Sequence, residues 1–184
     1  MPILYIKLRL FFLVVHIKNQ KDRENLYQYI AQKTYRIIGD AKNIVRAFAN
    51  KTNINIEDEY PSLSDLQEMC KLINPYDQAP LILGQLGNYA TWLQYLNYFR
   101  IKTEENIAKI YLKIQFLNSD YLKLVIKIED CSHFFAIKTI IDMKINNTDL
   151  LSFANGLHQY FKCVKDLEEY AEQNFKDYKD MDQK

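Results

Sequence analysis

A chain of 184 residues, 48% hydrophobic and 26% charged, has the size and composition of one globular domain with its own core, which excludes a disordered or low-complexity polypeptide. Three widely spaced cysteines, Cys70, Cys131 and Cys163, argue against a secreted disulfide scaffold and for a reducing, cytoplasmic setting. The net charge of +1 conceals a segregated distribution: residues 1–52 hold ten Lys/Arg against three Asp/Glu, while residues 53–80 hold one lysine against six acids.

The first element expected is a strand, because Ile6-Lys7-Leu8-Arg9-Leu10 alternates with period two. The surrounding apolar run, Ile3 to Ile17, is interrupted by Lys7 and Arg9 and is too short to span a bilayer. His16-Ile17-Lys18 follows where a leader would carry small cleavage-site residues, so no membrane partner is expected. Asn19 then caps a helix whose stripe of Leu26, Ile30, Ile37, Ala41, Ile44 and Phe48 runs to about Lys51, with a break at Gly39-Asp40. Asn53 to Pro61 is a polar, acidic loop. Ser64 with Gln67 forms a capping box, opening a short helix that ends before Pro75.

Pro80 suits the first turn of a further helix to about Arg100. Around Asn118-Ser119-Asp120 the pattern changes to alternation. Ile110, Leu112, Ile114 and Phe116 share one parity before it, and Leu122, Leu124, Ile126 and Ile128 share one after it. That predicts a β-hairpin, followed by a third strand from His133 to Ile145, although residues 134–143 also fit a helix. Thr148 caps the last helix, with Leu150, Ala154, Leu157, Phe161, Val164, Ala171 and Phe175 in register, and a charged tail begins at Lys176. The fold expected is α+β: a small, mainly antiparallel sheet (the N-terminal strand plus a meander around 107–145) packed against helices and closed by a long C-terminal helix. The alternative is an all-α fold.

Chemistry-bearing residues are sparse. Cys131 and His133 are close enough in sequence to suggest a thiolate–imidazolium pair, but such pairs usually come from separate elements, and Cys131 reads equally as a small buried hydrophobe. His158 and Cys163 would complete a four-ligand metal set, yet their spacing on a helix places them on different faces. The four glycines are scattered and form neither a phosphate-cradling loop nor a nucleophile elbow. No cofactor, metal or catalytic residue is therefore assigned.

Two surfaces remain. The acidic stretch with Glu57, Asp58, Glu59, Asp65 and Asp77 suits a basic partner protein, and predicts a non-catalytic cytoplasmic interaction module such as an inhibitor, immunity-type protein, chaperone or regulator. The alternative is single-stranded nucleic-acid binding. It rests on the solvent face of the expected sheet, where Tyr5, Lys7 and Arg9 would lie beside Tyr111, Lys113, Tyr121, Lys123 and Lys127, with Lys138 and Lys144 beyond them.

Overall fold

Six α-helices and one two-stranded antiparallel sheet make up the computed structural model, which describes residues 2–183 apart from 85, 86 and 144–146. Side chains are described between Lys18 and Lys179, outside residues 19, 20 and 23 and the same two gaps. The order is α1 (Pro2–Thr52), α2 (Leu63–Lys71), β1 (Gln78–Leu83), β2 (Asn88–Thr91), α3 (Trp92–Tyr111), α4 (Ser119–Glu129), α5 (Ser132–Met143) and α6 (Ala154–Asn174), with short 3-10 turns at Ile114–Phe116, Leu151–Phe153 and Lys176–Gln183. The class is thus α+β, with a small antiparallel sheet packed against helices and a long C-terminal helix.

α1 runs unbroken because Ile30, Thr34, Ile37, Ala41, Ile44 and Phe48 recur at helical spacing and are all buried. Thr34, the polar member of that stripe, donates to the Ile30 carbonyl (2.8 Å) and lies 2.7 Å from the Tyr121 hydroxyl. Residues 6–10 and Asn19 are consequently helical rather than a strand and its following cap. Helix formation continues through Gly39-Asp40, since the flanking Ile37, Ile38, Ala41 and Ile44 all face the core.

The sheet lies in a different place from the one expected. Residues 78–91 form the hairpin, in the register Gln78↔Thr91, Ile82↔Tyr89 and Leu83↔Asn88, with an irregularity between Gln78 and Ile82. Pro80 falls within that irregularity, where a missing N–H is tolerated. Gly84 (φ 69°) and Gly87 (φ 72°) supply the left-handed backbone at the turn. Thr91 and Gln94 form a reciprocal capping box that starts α3 directly from β2.

The segment read as a hairpin, Ile110 to Ile128, is instead the end of α3, a 3-10 turn and α4. Asn118 is the cap of α4, accepting from the Asp120 N–H at 2.9 Å. Within α4 the buried residues are Tyr121, Val125 and Ile128, at i, i+4 and i+7, packed against α6. Both parities are therefore split: Tyr121 and Val125 from the supposed wet face are buried with Ile110 and Ile128, while Leu112, Ile114, Phe116 and Ile126 from the supposed apolar face are exposed. Residues 132–143 take the helical option as α5, burying His133, Phe134 and Ile137; Lys144 and Ile145 lie outside the described residues. The capping box of α2 uses Ser62 and Asp65 rather than Ser64 and Gln67, and the last helix starts at Ala154 after a 3-10 turn rather than at Thr148.

α6 is the hub, packing against α1, α2, α4 and α5 through Leu157, Tyr160, Phe161, Val164, Leu167 and Ala171. Among the described residues, no helix is long and apolar enough to cross a membrane.

Candidate partner-binding cleft

The loop between α1 and α2 brings Glu57 and Asp58 of the acidic stretch to the wall of a concave surface. It leaves α1 at Asn53, whose φ of 56° is a left-handed conformation asparagine tolerates. It then passes over α6 and rejoins the fold at Pro61, which is buried. Ser62 accepts from the Asp65 N–H (3.2 Å), and Asp65 accepts from the Ser62 N–H (3.2 Å), so Asp65 is held in place by capping α2.

Between this loop and α6 lies a cleft of about 670 Å³. Its α6 wall carries His158, Phe161, Lys162 and Lys165, at i, i+3, i+4 and i+7 on one helix face. The loop wall carries Glu57, Asp58, Tyr60, Ser62 and Asp65. Beyond Asp58 and Tyr60 a second, shallower depression of about 510 Å³ adds Glu59, Glu168, Glu169 and Glu172. Seven carboxylates and two lysines thus line the two depressions.

Several of these charges are already matched. Lys42, on α1, sits under the loop and donates to Glu59 (2.5 Å) and Glu168 (2.6 Å), with Nζ 5.6 Å from the Tyr60 ring centre. Desolvation opposes the Lys42 charge, but its bonds to Glu168 and Glu59 outweigh that and raise its pKa. The Tyr60 hydroxyl donates to the other Glu168 oxygen (2.6 Å); burial first, and then that bond, hold the phenol protonated. Asp58 faces Lys165 at 3.4 Å, which lowers the pKa of its carboxyl. Glu57 and Lys162 are exposed, one on each wall, with no ion-pair partner among the described residues. His158 Nδ1 is buried and has no hydrogen-bond partner among the described residues.

Of the acidic residues read from sequence, the fold therefore brings Glu57, Asp58, Glu59 and Asp65 together and separates Asp77. Asp77 stands before β1, 3.4 Å from Lys51, and lines neither depression. Two basic residues of α1 meet this acidic stretch, Lys42 at Glu59 and Lys51 at Asp77. Sequence reasoning did not single out Lys42, Tyr60, Lys162, Lys165 or Glu168. The i, i+3, i+4, i+7 stripe of α6 was visible, but only the fold shows that the loop crosses it.

The Tyr/Lys set has no sheet beneath it. Tyr121 is buried against Thr34 and Tyr111 donates to Glu129. Lys123 bonds Asp120 (2.9 Å), Lys127 lies 3.9 Å from Asp166, and Lys113 is half-buried just after α3. Lys7 and Arg9 belong to α1, and their side chains lie outside the described residues.

Cys131 and His133 are held in forms unsuited to an activated nucleophile. Burial pushes the Cys131 thiol up to about 11 and His133 down to about 3, so the stable pair is thiol and neutral imidazole. His133 stacks on Tyr160 (5.5 Å between ring centres) inside the core. Among the described residues no group of three or more His, Cys, Asp or Glu side chains is arranged to hold a metal ion. Comparison with protein-family models, curated proteins and solved structures finds no match to this chain, so its function is read from the cleft alone.

Proposed function

We propose that this chain is a non-catalytic protein-interaction module, in the broad class of inhibitors, immunity-type proteins, chaperones and regulators, and that the cleft between residues 53–62 and α6 docks a segment of a partner protein bearing basic side chains. The observation that supports it best is the convergence of Glu57, Asp58, Glu59 and Asp65 with Glu168, Glu169 and Glu172 around one pair of adjoining depressions. A surface of that sign attracts a cationic segment and orients it before contact. The three unbridged cysteines fit a cytoplasmic setting.

The test is a fluorescence-anisotropy titration of the full chain with a labelled lysine- and arginine-containing nonapeptide, an acidic nonapeptide and a single-stranded RNA, at low and physiological salt. Preferential binding of the basic peptide is expected, reduced at least tenfold by the combined changes Glu57→Gln, Asp58→Asn and Glu59→Gln. Asp65 is left intact because it caps α2. Undiminished peptide binding by the triple variant would remove the docking role. Tight, salt-sensitive binding of the RNA alone would favour the nucleic-acid alternative.

A further inference from the structure

The charges that line the cleft are unequal in availability, and that inequality specifies the partner's chemistry. Asp58 is matched by Lys165, Glu59 and Glu168 by Lys42, and Asp65 by the backbone of α2. Within the larger cleft this leaves two exposed, unmatched charges of opposite sign, Glu57 on the loop wall and Lys162 on the α6 wall. The apolar part of the cleft's lining comes from Ile56, Pro61 and Phe161, with His158 set one helical turn before Lys162. A purely basic segment would satisfy Glu57 but place a cation against Lys162, which like-charge repulsion disfavours. We infer that the larger cleft selects a dipolar peptide segment, which sets a lysine or arginine against Glu57 and an aspartate or glutamate against Lys162 across a small apolar contact. This rests on the docking reading above and adds the second charge to it.

Panning a phage-displayed random dodecapeptide library on the immobilised full chain, followed by anisotropy titrations of the enriched peptides, separates the two claims. The expected consensus holds both a basic and an acidic residue. Glu57→Lys and Lys162→Glu should each weaken the selected peptide at least tenfold, with unchanged circular dichroism and melting temperature. A chain carrying both reversals should prefer the peptide with its acidic and basic residues exchanged. Enrichment of purely basic peptides that bind more tightly to Lys162→Glu would overturn the dipolar inference while leaving the docking site in place. Peptides indifferent to both reversals and to neutralisation of Asp58 and Glu59 would overturn both.

Discussion

Polar side chains gather on two opposite faces of α6, under opposite conditions. On one face Tyr160 is buried with Thr103 (hydroxyl oxygens 3.3 Å apart), His133 and the nearby Asp40 of α1. On the other, His158, Lys162 and Lys165 line the cleft facing the acidic loop. In the interior, burial works against charge: His133 is pushed down to about 3, and Asp40 is pushed up to about 6 although Lys102 and Arg36 oppose the shift. In the cleft, partners and water favour charge, so Asp58 is lowered by Lys165 and Lys42 is raised by Glu168 and Glu59. One helix thus carries a face that discourages ionisation and a face that sustains it, and only the second suits recognition of another charged surface.

The largest effect should come from the dry face. Tyr160→Ala removes a fully buried ring in contact with His133, Phe134 and Phe161, and should cost about 3–5 kcal/mol in denaturant-unfolding experiments. A loss below about 1 kcal/mol would mean this interior is loosely filled, contrary to the usual cost of emptying a core site.

His133 sharpens the comparison through pH. Its folded pKa lies below its unfolded value, so its contribution is fully present above pH 6.5 and is lost as pH falls toward about 3. Between pH 7.5 and pH 5 the wild type should lose about 2 kcal/mol more than His133→Phe, which cannot titrate there. Equal losses in the two proteins, measured by urea unfolding at both pH values, would place an ionised imidazole in the fold.

On the wet face the comparable change is Lys42→Ala. It removes the cation from the partly buried Glu168 carboxylate, leaving it the Tyr60 hydroxyl, and should cost about 2 kcal/mol by the same unfolding measurement. Asp40→Asn should have the opposite sign. The raised folded pKa means that the wild-type contribution is present below about pH 4 and lost as pH rises through about 6. The amide should therefore stabilise the protein at pH 7.5 by about 1–2 kcal/mol, allowing for the partial exposure of the group, and the gain should vanish at pH 4. Smallest of all, Glu57→Lys and Lys162→Glu should change stability by less than about 0.5 kcal/mol, because both are exposed and neither has an ion-pair partner among the described residues. A larger change in either would mean that these charges support the fold rather than await a partner.

Much of the helical framework was legible in residue order. The stripe from Ile30 to Phe48 and the register from Leu157 through Phe175 identified α1 and α6, because a side chain recurring every three or four positions has few alternatives over such lengths. Short segments were less decisive. Leu122, Leu124, Ile126 and Ile128 alternate as a strand would, but Tyr121, Val125 and Ile128 in the same segment make an equally regular helical stripe. Burial against α6 selected the second. Conversely, Pro80 suits the first turn of a helix, yet left-handed Gly84 and Gly87 turn Gln78 to Thr91 into the hairpin.

Residue order by itself determined the two long amphipathic helices, the long C-terminal closure and the acidity of residues 53–80, since each follows from local periodicity or composition; the α+β class holds, but through a hairpin at Gln78–Thr91 and not through the strands that alternation suggested. Tertiary structure alone decided where the sheet lies, which tyrosines are buried and which acids meet. Those outcomes depend on contacts between residues far apart in the chain: Tyr121 with Thr34, Glu168 with Lys42, and Asp58 with Lys165. No periodicity within either partner's own segment records such a pairing, because the two residues meet only when separate elements pack together.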